Sequence, residues 1–290
     1  MSKLTPFVLA AFLMLSTLPS CRKAIDYIHD HPDAQVPFCR ITKLTFGDFD
    51  PARPWDILQL GVTYNAKGNP LSLAELNPGK PIWTPELYFR YDKFDRLSDF
   101  MYTTAGGVGY DSTLFPYTSP FIWHKYAYPH PGLIVDTVLT YDTGPLNGPS
   151  PIAKPGVAIY FYKFNVAGKM IAEAVTTYLP NQPPPVFGGI AYDARGNRDL
   201  STYTNIRYDS SIHPYRTNKV WQLVFKDYSR NYPVYTTSPT TPTNSFGLPT
   251  RLPYIAGNII PVSQFDWYSY YTPYYYIEYA CSAPKGPINY

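Results

Sequence analysis

Apolar and polar residues alternate along most of this chain in short runs separated by Asp, Asn, Gly and Pro, the period of half-buried strands. The clearest run is Ile190–Leu200 (IAYDARGNRDL), and the chain rewrites it several times. VTYNAKGNPLSL (Val62–Leu73) and YFRYDKFDRLSDF (Tyr88–Phe100) share its core: an aromatic, then Asp or Asn, two free positions, then Gly or a turn-tolerant residue. YKFNVAGKMIAEAV (Tyr162–Val175) is a looser copy, and LVFKDYSRNYPVY (Leu223–Tyr235) a degenerate one. In the clearest copy Asp193 opens the turn, its side chain accepting bonds from backbone N–H groups just ahead. Gly196 supplies the positive φ that closes a type I turn with a G1 bulge. Asn65 and Gly68 stand in the same places in the first copy. In the second, Asp92 opens the turn and Asp95 fills the glycine slot, where Asp is tolerated better than most residues. Each copy predicts a β-hairpin.

The remaining segments fit the same class. Cys39–Phe46 reads as a first strand. Phe121–Tyr128 and Leu133–Tyr141 read as a strand pair turning at Pro129–Gly132. MIAEAVTTY, in the third hairpin, is the one place where a short helix competes with a strand, and an irregular turn or short helix is expected within Asn205–Arg216, ahead of Asn218–Lys226. Thr236–Pro253 is low-complexity Thr, Pro and Ser, expected as a surface loop. The expectation is one all-β domain, an antiparallel meander of hairpins over residues 39–290. With 17% aromatic and 16% charged residues the chain favours strands and disfavours coiled coils and disorder. A net charge of +3 from scattered residues excludes nucleic acid as a partner.

The YDxxG core resembles the YD repeat of Rhs and teneurin proteins. The longer run YDSSIHPYRTNKVWQLVFKDYSRN (Tyr208–Asn231) is similar to the C-terminal half of small YD-containing lipoproteins of Bacteroidota, a family of unknown function. The resemblance spans roughly Cys39 to Cys281 and implies the hairpin fold without an activity. Rhs shells need many contiguous repeats; here the copies are few and unevenly spaced, so a closed toxin-encapsulating shell is not expected.

The start of the chain carries an address. Lys3 forms a positive n-region, and Pro6–Leu18 is an apolar stretch too short to span a bilayer. Leu18-Pro19-Ser20-Cys21 resembles the lipobox of bacterial lipoproteins. By that resemblance residues 1–20 are a signal peptide, Cys21 is the acylated first mature residue, and residues 21–38 are a flexible tether. Several acyl chains, at about 0.8 kcal/mol per buried CH₂, make an essentially permanent anchor. The protein is then exported and lipid-anchored in the bacterial envelope, with the outer membrane favoured and its face left open. Two further cysteines, Cys39 and Cys281, open and close the domain. Parity and compartment favour a disulfide between them over two buried free thiols.

Candidate chemistry is sparse. His29, Asp30 and His31 lie on the tether, where no rigid geometry can hold a metal. His124 follows Trp123, and strand alternation points it away from the tryptophan's face, which suggests a surface or rim histidine. His213, before Pro214, has a local structural role. The spacings of metal ligands are missing, as are GxSxG, SxxK, a phosphate-binding glycine loop and a Cys–His pair, so no cofactor is expected. Asp92 and Asp193 could pass for paired glycosidase acids, but the turn motif already explains them. The aromatic run Phe265–Tyr279 is the strongest binding feature, with Trp267, Tyr270 and Tyr274 as candidate stacking faces for a sugar; packing of most of these rings in the sheet is the competing use. The expected function is non-catalytic, in binding or structure, with a glycan or an envelope protein as partner. The alternatives are a glycan-acting hydrolase and an accessory of an Rhs-type system.

Overall fold

The computed structural model describes residues 36, 39–46, 57–76, 85–104, 120–140, 156–177, 184–201, 203–253 and 274–282. Ten strands follow one another as antiparallel neighbours: β1 (Cys39–Phe46), β2 (Leu58–Tyr64), β3 (Pro70–Glu75), β4 (Pro85–Tyr91), β5 (Leu97–Thr104), β6 (Pro120–His130), β7 (Leu133–Thr140), β8 (Gly156–Phe164), β9 (Met170–Thr177) and the short β10 (Gly188–Gly189). On the free side of β1 the sheet continues with β14 (Tyr274–Cys281) and β13 (Arg251–Pro253), giving a 12-stranded sheet. A second, two-stranded sheet pairs β11 (Ile206–Ile212) with β12 (Asn231–Tyr235). Between those two strands lie a 3-10 turn, Pro214–Thr217, and the short helix α1 (Lys219–Phe225). This is the all-β antiparallel hairpin meander that the alternation implies. No helix among the described residues is long and apolar enough to cross a membrane.

The turn chemistry recurs in detail. Asp193 Oδ1 accepts from the backbone N–H groups of Arg195 at 2.9 Å and Asn197 at 2.8 Å. Asn65 and Asp92 each bind the corresponding two N–H groups in their own turns. The slot three residues on is left-handed in four copies: φ is 84° at Gly68, 59° at Asp95, 76° at Gly168 and 85° at Gly196. The ladder shifts register next to the turns of hairpins β2–β3, β4–β5 and β8–β9, as a bulge requires. One further copy sits where the sequence predicts a low-complexity loop. Asn244 Oδ1 accepts from Phe246 and Leu248, and Gly247 has φ 76°. The Ser, Thr and Pro around it hide a turn whose Asx and Gly are spaced as in the others.

Tyrosines, two of them the aromatic of a repeat copy, complete these turns. Two residues beyond each left-handed position a carbonyl is left for a tyrosine hydroxyl from another part of the chain. Tyr91 donates to Pro70 O at 2.6 Å, Tyr128 to Leu97 O at 2.9 Å and Tyr192 to Met170 O at 2.8 Å. Tyr208 donates to Arg198 O at 2.8 Å and Tyr279 to Pro249 O at 2.9 Å. Each hairpin is thus fastened by a tyrosine that follows it in sequence.

One expectation needs correction. The degenerate copy Leu223–Tyr235 is no hairpin, because Leu223, Val224 and Phe225 belong to α1. Five successive residues of the helix, Val220–Val224, are buried, so it carries no amphipathic period to read. Where strand and short helix compete in the third hairpin, Met170–Thr177 is strand β9. Seven residues are too few to hold a helix alone. Asn218 caps α1, its side chain accepting from Val220 N at 2.9 Å, and Lys226 ends it at φ 57°. Burial does the rest. Trp221 meets Phe89 edge-on with ring centroids 5.3 Å apart and stacks on Phe225 at 5.9 Å. Around them Leu44, Leu60, Leu87, Phe100 and Ile277 from one face of the large sheet complete the core.

Cys39 and Cys281 lie opposite one another in the β1–β14 register and are joined by a disulfide. The bond closes a separation of 242 residues. In the chain-entropy model so long a loop stabilises by about 5 kcal/mol. Val36, assigned to the tether by its sequence, is buried and donates its N–H to Arg216 O at 2.7 Å.

Gly196→Val should cost about 1–2 kcal/mol, because a residue with a Cβ resists the left-handed region. Unchanged thermal stability would remove the turn assignment. Tyr91→Phe should cost about 1–2 kcal/mol through the stranded Pro70 carbonyl. Chemical denaturation measures it, and a loss no larger than for an exposed Tyr→Phe control would show that the bond does not fasten the hairpin.

Candidate functional site

The turns of β2–β3, β4–β5 and β8–β9 leave the meander at one end. In each, the residue after the left-handed position is polar: Asn69, Arg96 and Lys169. These three line one wall of a cleft of about 360 Å³. The other wall comes from the 3-10 turn and α1, through Arg216, Asn218, Lys219 and Gln222. Leu97, Ile134, Phe164 and Leu223 supply the apolar lining, with Tyr128 and Tyr228 among them. Arg216 is only 1% exposed.

Cross-links between turns hold this rim in place. Lys67 of the first turn forms an ion pair with Asp95 of the second. Arg96 pairs with Asp92 at 2.7 Å and lies over the Tyr128 ring, 4.4 Å from its centroid. Lys169 donates to Gly196 O at 2.7 Å and sits 3.9 Å from the centre of the Tyr192 ring. Asn218 Nδ2 donates to Gly68 O at 3.0 Å, fixing α1 to the first turn. Burial raises the Tyr128 phenol to about 12, so it is a neutral hydroxyl at physiological pH.

A buried charge cluster lies deeper. Asp136 on β7 is fully buried, and both its oxygens lie near His124 Nδ1, at 3.0 and 3.1 Å. Tyr162 donates to Asp136 Oδ2 at 3.2 Å, and Lys226 Nζ is 3.4 Å from the same oxygen. Burial pushes the Asp136 carboxyl up, but the bond and charge of His124 and the charge of Lys226 outweigh it and leave it below the usual carboxylate range. Burial lowers the Lys226 ammonium, partly offset by Asp136. With 21% of its side chain exposed, His124 takes the rim position of the two expected. Alternation does separate it from Trp123, but the covered face of the sheet is the one His124 takes, where its ring meets Phe100 at 5.2 Å.

The next residue, Asp227, reaches the other way. Its carboxylate is 3.2 Å from His213 Nε2, and His213 is fully buried while its Nδ1 accepts from Tyr215 N. Burial raises the Asp227 carboxyl, but the charge and bond of His213 and the bonds from Ser229 prevail and hold it at about 2. Lys226 and Asp227 together fasten the end of α1 to β7 and to the segment preceding the helix.

The remaining sequence candidates fall elsewhere. Cys21, His29, His31, Trp267 and Tyr270 lie outside the described residues. Tyr274 is half-buried on β14 beneath the Arg251 guanidinium, 4.7 Å from its ring centre, and does not line the cleft. Asp92 and Asp193 are turn acceptors on separate hairpins. Among the described residues no three His, Cys, Asp or Glu side chains group as a metal site would. The cleft residues escaped sequence reasoning; their one signal is the cation after the turn slot in two copies, Arg96 and Lys169.

The depressed carboxyls set the acid limb of stability. A lowered folded-state value contributes stability that is present above the unfolded value near 4 and lost as pH falls towards about 2. Asp227→Asn should therefore lose about 2 kcal/mol at neutral pH, with a smaller loss on going to pH ~3 than the parent shows. Urea titrations at the two pH values decide it: parallel loss in both proteins would mean that the Asp227 charge is not what fastens α1.

No family model and no curated protein matches this chain. Its functional reading therefore comes from the cleft.

Proposed function

We propose that this chain is a non-catalytic, lipid-anchored protein of the bacterial envelope that binds a short saccharide in the cleft between the hairpin turns and α1. The observation that carries the reading is the cleft's lining. At about 360 Å³ it falls in the range of small-ligand sites. It combines tyrosine and phenylalanine rings with amide, guanidinium and ammonium donors, the mixture that a sugar's apolar ring face and hydroxyl edges call for. The anchor rests on the Leu18–Cys21 lipobox-like sequence, and the tether would present the cleft away from the lipid surface.

A glycan-acting hydrolase needs two acids flanking the scissile bond. Among the described residues the cleft offers one, Asp95, already paired with Lys67. That favours binding over turnover.

Purified full-length protein in detergent should gain thermal stability, by a few degrees, with one class of saccharide at millimolar concentration, since ligand binding to the folded state stabilises by mass action. Cys21→Ser should move the protein out of the membrane fraction. A flat thermal response across neutral and acidic saccharides would remove the cleft reading, and a membrane-bound Cys21→Ser protein would remove the anchor.

A further inference from the structure

We propose that Val36 is a positioning residue for this cleft, seated as a strap that holds the helix-side wall in place, and that its seating is coupled to ligand binding. The inference rests on the saccharide reading above and adds how that site is controlled. Its starting point is Arg216. The Arg216 side chain lines the cleft, while its carbonyl accepts the Val36 N–H at 2.7 Å. The 3-10 turn that carries Arg216 is four residues long, too short to keep its place alone. Its own bonds run inside the cover: Arg216 N donates to His213 O, and Thr217 Oγ1 to Pro214 O. They shape the turn without placing it against the sheet. Placement comes from Asn218 on Gly68 O, from Lys226 on Asp136, and from Val36 on Arg216 O.

Val36 can act as a fastener because it is itself held. Its side chain is fully buried and packs with Cys39 and Leu248 in a small apolar cluster separate from the main core, with Tyr279 and Cys281 against it. The cluster therefore draws on β1, on β14 and on the turn at Asn244. Val36 O accepts from Cys39 N at 3.2 Å, so the strap runs directly into β1. The Cys39–Cys281 disulfide keeps β1 on β14 whether or not Val36 is seated. Withdrawal of Val36 thus frees the cleft wall at Arg216 and leaves the sheet stapled, a local opening rather than a global one. A ligand that needs the wall in place favours the seated state, and by linkage seating favours the ligand to the same degree. The N-terminal segment reaches the folded body at this residue, so occupancy of the cleft sets how firmly that segment is held.

The test joins hydrogen exchange to calorimetric titration, on the full chain in detergent, with three probes: cellobiose, chitobiose and digalacturonic acid. Without ligand, Val36→Asp should speed exchange of the amides of residues 216–222 by about tenfold at a temperature where its melting curve shows it folded. It should also weaken whichever disaccharide the parent binds by about tenfold, and Val36→Ile should restore both properties. Val36→Ala takes the place of Val36→Asp if the latter does not fold. In the parent, a saturating disaccharide should slow exchange in the peptide that covers Val36, a response that a merely structural valine would not give. Parent-like exchange over residues 216–222 in the folded variant, or parent-like affinity, would overturn this inference and leave the saccharide reading standing. Exchange at Val36 that ignores a bound disaccharide would overturn it as well. Binding of none of the three by the parent would remove the saccharide reading and this inference together.

Discussion

A tyrosine hydroxyl closing onto a carbonyl of another segment is the contact on which the rest of this structure depends. A hairpin alone is marginal in water. Its ladder satisfies most of its backbone groups, but the bulge beside the turn spares a carbonyl two residues past the left-handed slot. Pro70, Leu97, Met170, Arg198 and Pro249 are those carbonyls, and each is met by a tyrosine that comes later in the chain. The bond does two things together. It satisfies a polar group next to the core, and it fixes the distance between one turn and the next. A slip of one residue in any strand pairing would carry the ring to the opposite face and lose the bond. The repeat is therefore a device for register as much as for turning.

With register fixed, one face of the large sheet is apolar over several strands and needs a cover. The segment between β11 and β12 provides it, in the form of α1 and its preceding 3-10 turn. Apolar packing alone would leave a short helix free to slide, since dispersion and burial have little directionality. Direction comes from the ends. Asn218 ties one end to Gly68 and Asn69. Lys226 and Asp227 tie the other, to Asp136 on the sheet and to His213 ahead of the helix. Buried charges are a poor source of net stability but a strict source of position, because a wrong placement leaves one of them unpaired.

The sequence made the turns legible because their cause is local. Asp193 and Gly196, or Asn65 and Gly68, act within their own five residues, and a reader needs nothing else. The partners of the tyrosines are not local. Tyr91 and Pro70 lie on neighbouring hairpins, and only the finished register brings them together. Helix α1 was hidden by its own burial on all sides, which erased the period that would have marked it. His124 shows a subtler limit. Alternation correctly separated it from Trp123, but alternation says which residues share a face and not which face is covered. The cleft was least legible of all, since its walls come from turns and a helix far apart in the chain.

The division of labour inside the repeat explains why a cleft forms at this end of the sheet. Three positions are committed to architecture: the tyrosine, in the copies that have one, to the carbonyl of another segment, the Asx to its own turn, and the next-but-two residue to the left-handed slot. The position after that slot has no fixed duty in the turn, and its side chain is used differently from copy to copy: Leu248 and Asn197 are buried, while Asn69, Arg96 and Lys169 line the cleft. It holds Asn69, Arg96, Lys169, Asn197 and Leu248 in successive copies, a variety that no turn requirement produces. Three of them, on hairpins of the same sheet, face the same helix wall. A scaffold built this way can change what it recognises by changing residues that its turns do not prescribe. Its turns and tyrosines would remain the readable part of the sequence while its ligand changed from one copy of the scaffold to another.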